Sequence, residues 1–143
     1  MKSLVTKIIF SMLFSSCLSR GGYFDKTEPL LEKEDPQTVV SDAGKLLQEN
    51  FPPAKSKLHI QVDPKKHKLG TLLESELRRL GYAIDTSEKG QGIKIAYLFD
   101  KVDQKRYMFR IVAGESFQAN RIYKKFGSGF VGETPFAVRG VIR

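Results

Sequence analysis

The chain has no tryptophan, one cysteine and two histidines in 143 residues. A single cysteine excludes an intrachain disulfide framework and a thiolate metal cluster. His59 and His67 have no acidic pair beside them, and catalytic zinc usually takes three protein ligands, so they make a poor zinc site. Each reads as a solvated histidine: His59 on a strand face opposite Leu58 and Ile60, His67 in a basic turn with Lys65, Lys66 and Lys68. No serine-centred elbow is present, and Gly127-Ser128-Gly129 lacks the lysine that would follow in a phosphate-binding loop. Asp100 and Asp103 flank a turn, where aspartates bond to local backbone in preference to forming a carboxylate dyad. The expectation is therefore a non-enzyme with no catalytic residues, no cofactor, no metal and no small-molecule substrate. No apolar run approaches the roughly 20 residues of a membrane-spanning helix.

What the chain does have begins at its first residues. Lys2 and Lys7 precede a short apolar stretch, Ile8 to Phe14 broken by Ser11, and then Ser15, Ser16 and Cys17. A basic start, a short apolar core and small residues are the layout of a secretory signal peptide. Small residues before a cysteine resemble a bacterial lipobox, with Phe14 standing where leucine is usual and Leu13 one position earlier. That resemblance implies a signal peptide over residues 1–16 and a diacylglycerol on the Cys17 thiol, with acylation of the new amine. The other reading is an ordinary signal peptide cut elsewhere, with Cys17 a bystander. Two or more acyl chains anchor a protein stably where one does not. By analogy with bacterial sorting, Leu18 in place of an aspartate points to the outer membrane and a domain facing the periplasm.

The formal net charge is +8, and the signal segment would take two lysines and no acid with it. The remainder is the size of one ordinary domain. Its basic excess suits anionic lipid, an acidic protein face or nucleic acid.

Residues 17–34 read as a tether, with Gly21-Gly22, mixed charges and Pro29. Asp35 then suits a helix N-cap and Pro36 the first helical position. Val39, Val40, Ala43, Leu46 and Leu47 recur at helical spacing until Phe51-Pro52-Pro53 stops the helix. Leu58, Ile60 and Val62 alternate with His59 and Gln61 as a half-buried strand. Leu69, Leu72, Leu73, Leu77 and Leu80 line one helix face, Gly81 ends it, and Tyr82 and Ile84 start another strand. Further on, Ile93 to Phe99 and Tyr107 to Ile111 alternate as a hairpin about the turn at Asp100 to Lys105, and Ser116 to Tyr123 forms a third strand. The tail beyond Lys124 holds Gly127, Gly129, Gly132 and Pro135. There Phe136 and Val138 either add an edge strand or order only on a partner. The predicted fold is a single α+β domain over residues 35–126, a strand–helix–strand unit plus a β-meander in an antiparallel sheet with helices on one face. Residues 127–143 form the glycine-containing tail or edge strand.

The order of "LLQENFPPAKSKLHIQV" (46–62), "LGTLLESELRRLGYAI" (69–84), "IKIAYLFD" (93–100) and "QANRIYKK" (118–125) resembles the TrbH family of conjugal transfer lipoproteins. That resemblance implies a structural or accessory part of a type IV secretion apparatus, with channel subunits as partners and no active site to carry over. Two basic clusters complete the candidates: Lys65, Lys66 and Lys68, and Arg121, Lys124 and Lys125 interleaved with Tyr123 and Phe126. Both read first as solvated faces. The second also suits protein docking, and its aromatics suit stacking on single-stranded nucleic acid, which ranks below protein contact. The competing function is a stand-alone envelope lipoprotein that binds peptidoglycan or anionic lipid through its basic face.

Overall fold

The computed structural model describes residues 33–61, 65 and 67–140. Cys17, the signal segment 1–16, most of the tether, Val62 and Lys66 lie outside the described residues.

Helix α1 spans Gln37–Asn50 and buries the predicted stripe of Val39, Val40, Ala43, Leu46 and Leu47. It starts one residue later than expected. Pro36 flanks it, and Asp35 still serves the helix start by accepting the Gln37 N–H at 3.0 Å. Phe51 does more than stop the helix. Its ring is buried against Phe117, with centroids 5.4 Å apart edge to face, and its carbonyl accepts the Tyr82 hydroxyl at 2.6 Å. Burial pushes the Tyr82 phenol up to about 12.

Strand β1 (Lys57–Ile60), helix α2 (Lys68–Arg79) and strand β2 (Ala83–Asp85) form the expected strand–helix–strand unit, with β1 and β2 parallel. The strands β3 (Ile93–Lys101), β4 (Arg106–Ala113) and β5 (Phe117–Phe126) follow as an antiparallel meander. The sheet order is β2-β1-β3-β4-β5-β6, with β3 parallel to β1, so the sheet is antiparallel except at this end. The glycine-containing tail joins it. Gly129–Gly132 is β6 and Ala137–Arg139 is β7, both antiparallel to β5 at different points along its length.

The strands alternate as strands must, and every second side chain turns to the inner face under the helices. Ile95, Tyr97 and Phe99 of β3 lie level with Ala113, Ile111 and Phe109 of β4, and all are buried. The core is strongly aromatic where Phe99 meets Tyr107, Phe109, Tyr123 and Phe130, at centroid distances of 5.0–6.4 Å. Phe130 is 3% exposed, so the tail supplies a core residue.

One expectation from the alternation is corrected. His59 is buried rather than solvated. Its side chain does turn away from Leu58 and Ile60, but the connection from β2 to β3 must cross β1 to reach the far side. That loop covers it, and the Ser87 carbonyl meets His59 Nε2 at 2.8 Å. Asp85 holds the loop's shape by accepting the Ser87 N–H, the Ser87 hydroxyl and the Gln91 N–H. A methyl group on Gly90 would fall 2.4 Å from His59 Cδ2, so only glycine lets the loop pass this closely.

The two ends of the sheet differ. The β3–β4 and β5–β6 turns lie together at one end, joined where Lys125 N–H bonds to the Lys105 carbonyl at 2.8 Å. The N-terminal segment meets the sheet at that same end, where Asp35 N–H bonds to the Ser128 carbonyl at 2.6 Å. The β4–β5 turn at Gly114 and Glu115 marks the other end, and there the chain after β7 passes Ser116 through Gly140, at φ +94°.

Candidate functional site

The predicted cluster on β5 is contiguous in sequence, and a strand divides it between two faces. Arg121, Tyr123 and Lys125 turn inward with Phe117 and Ala119; Lys124 and Phe126 turn outward.

The inward three are engaged. Asp42 Oδ2 on α1 accepts Arg121 Nη1 at 2.8 Å and the Tyr123 hydroxyl at 3.0 Å. Arg121 Nε also donates to the Thr134 carbonyl at 2.6 Å, and its guanidinium lies 5.3 Å from the Tyr123 ring centre and 5.4 Å from that of Phe136. One side chain thus ties α1, β5 and the segment between β6 and β7. Gly132 makes room for it, because a Cβ there would fall 2.1 Å from Arg121 Nη2. Burial, and then the Asp42 carboxylate, push the Tyr123 phenol well above its ordinary value. Lys125 bonds to the Glu34 carboxylate, which holds its ammonium above the usual range. Tyr123 is 0% exposed, so the reading that placed it among stacking aromatics for a nucleic-acid strand is corrected. Its ring faces the core.

The first basic cluster does not present a bare face either. Lys68 Nζ donates to the Glu34 carbonyl at 2.7 Å, Lys65 is also partnered, and Lys66 lies outside the described residues. Asp100 and Asp103 behave as turn residues. Asp100 accepts the Lys101 N–H, and Asp103 accepts the N–H groups of Lys105 and Arg106 and pairs with the Arg106 guanidinium at 2.6 Å. Among the described residues, no group of three His, Cys, Asp or Glu side chains is placed to hold a metal ion.

Of the exposed large apolar side chains among the described residues, Val138 lies on β7 opposite Ala119 and the other three lie at the tethered end. Phe126 is 77% exposed, and Val102 and Val131 are each 53% exposed. They share that end with Lys101, Lys105, Arg106 and Lys124, all exposed. A shallow open depression between the hairpins is lined by Asp103, Lys105, Arg106, Lys124 and Glu133, and its neighbour by Lys124, Phe126, Val131 and Glu133. From sequence, Lys101 to Lys105 were only a turn and Val131 only tail. No local signal marks this grouping, because antiparallel pairing of segments about 20 residues apart creates it. The arrangement suits binding to an anionic, partly apolar surface.

Among the described residues, no helix is long and apolar enough to cross a membrane. No curated protein and no solved structure matches the chain. The family described as "Conjugal transfer protein TrbH" does match, over residues 18–140. That range contains every described element of the fold and all four sequence stretches that carry the resemblance, so the chain belongs to the TrbH family of conjugal transfer proteins.

Proposed function

We propose that this chain is a periplasmic lipoprotein, anchored in the outer membrane through acylated Cys17, that serves as a structural component of a conjugative type IV secretion complex. The observation that carries this is the family match, which begins at the residue after Cys17 and runs to Gly140. The anchor reading adds the lipobox-like Ser15-Ser16-Cys17 and the basic, short apolar segment before it. A scaffold role, with channel subunits as partners and no catalysis, accords with side chains that are spent on holding the fold: Arg121 on Asp42, Lys125 on Glu34, Asp103 on its own turn.

The test compares intact mass and membrane fractionation of wild type and Cys17→Ser, followed by mild crosslinking and pull-down in cells that carry the transfer system. Acylated wild type should fractionate with the outer membrane and bring down channel subunits, while Cys17→Ser loses the lipid mass and the location. Unchanged mass and location in Cys17→Ser would refute the anchor; acylated protein that crosslinks to no channel subunit would refute the scaffold role.

A further inference from the structure

We infer that the tethered end of the sheet is a lipid-contacting surface: the β3–β4 and β5–β6 turns seat on anionic phospholipid, with Phe126 inserted among the headgroups and Lys101, Lys105, Arg106 and Lys124 around it. This goes beyond membership of a transfer complex and rests on the Cys17 anchor for its setting in the cell.

Three observations converge on it. Of the four large apolar side chains exposed among the described residues, Phe126, Val102 and Val131 lie at this end, and only Val138 on β7 lies apart. An exposed aromatic ring beside a lysine, at an end that carries further cations, is the composition of a surface that meets an interface, where the ring enters the headgroup layer and the cations meet phosphate. Next, Arg106 and Lys124 stand directly opposite one another in the β4–β5 register. Like charges in a cross-strand pair oppose sheet formation; Asp103 and Glu133 beside the pair offset part of its charge, and a lipid phosphate over Lys124 would offset the rest. Lys101, Lys105, Arg106 and Lys124 outnumber the nearby acids Asp100, Asp103 and Glu133 by one, with Asp103 paired to Arg106 and Glu133 beside Lys124. Finally, the chain leading back towards Cys17 joins the domain here, through Asp35 on Ser128 and Glu34 on Lys125. An anchor at Cys17 places the bilayer within tether's reach of this end and holds the patch at high local concentration beside it.

The absence of tryptophan makes the test direct, because Phe126→Trp is a single-tryptophan reporter. Full-length Phe126→Trp is reconstituted into phosphatidylethanolamine vesicles with or without phosphatidylglycerol, and its emission and its quenching by brominated lipid are read. Glu115→Trp, exposed in the turn at the opposite end, is the control. The Phe126→Trp protein should emit at shorter wavelength and be quenched in phosphatidylglycerol vesicles, less so at high salt, while the control keeps the emission of an exposed indole. Adding Lys105→Gln and Lys124→Gln to Phe126→Trp should lower the docked-to-undocked ratio by roughly 25-fold, at roughly fivefold per lysine. Quenching of Phe126→Trp no greater than that of the control, or equal with and without the anionic lipid, would overturn the proposal. No channel subunit is present in this assay, so its outcome is independent of whether the protein joins a transfer complex.

Discussion

Replacing Asp42 with alanine removes the shared acceptor of Arg121 and Tyr123. Tyr123 is fully buried, and a buried hydroxyl stripped of its acceptor costs about 1 kcal/mol or somewhat more. The Arg121–Asp42 side chains are 24% and 21% exposed. Their separation should therefore cost about 2 kcal/mol, between the small value of surface pairs and the larger one of buried pairs. Asp42→Ala should thus destabilise by about 3 kcal/mol, moving the urea midpoint by about 2 M. Tyr123→Phe alone should cost about 1 kcal/mol. In the Asp42→Ala background it should instead recover about 1 kcal/mol, since it removes the stranded hydroxyl. A double-mutant cycle by urea unfolding then gives a coupling of about 2 kcal/mol. Strict additivity of the two substitutions would refute the shared-acceptor reasoning.

The loop over His59 makes stability depend on acid. Asp85 is held from 3.8 down to about 2, chiefly by the Ser87 hydroxyl and then by backbone N–H groups. A depressed carboxyl stabilises above its unfolded value and loses that contribution as pH falls through the folded one. Unfolding followed between pH 5 and pH 2 should show a loss centred below pH 4 that Asp85→Asn reduces; an identical pH profile in the variant would refute it. Phe130→Ala should destabilise by about 3–4 kcal/mol, because its ring fills the aromatic core against Phe99 and Tyr107. An unchanged thermal midpoint would mean that the tail is not part of the fold.

Much of the architecture was legible because local signals agreed with one another. The five-leucine face of α2, Gly81 after it and the clean alternation from Ile93 to Ile111 each follow a single period, and each element formed where that period places it. The misreadings share one cause: the deciding contact is distant in sequence. His59 is solvated by its own strand's pattern and buried by a loop 28 residues on. Arg121 to Phe126 looks like one basic, aromatic patch, but Asp42, 79 residues from Arg121, claims Arg121 and Tyr123, and Glu34 claims Lys125. Phe130 lies among glycines and reads as tail until β6 pairs with β5. The hairpin-end grouping was invisible for the same reason. Family membership, by contrast, was carried by contiguous stretches, which a sequence displays directly.

The opposed positions of the N-terminal junction and the Gly114 turn give the domain a height. Strand β5 runs from one end to the other in 10 residues, which at the rise of an antiparallel strand is roughly 30 Å. With the tethered end seated on a bilayer, the Gly114–Glu115 turn stands about that far from the headgroups. The domain is then a rigid spacer, and a subunit that grips its distal turn is held at a set distance from the membrane rather than on it.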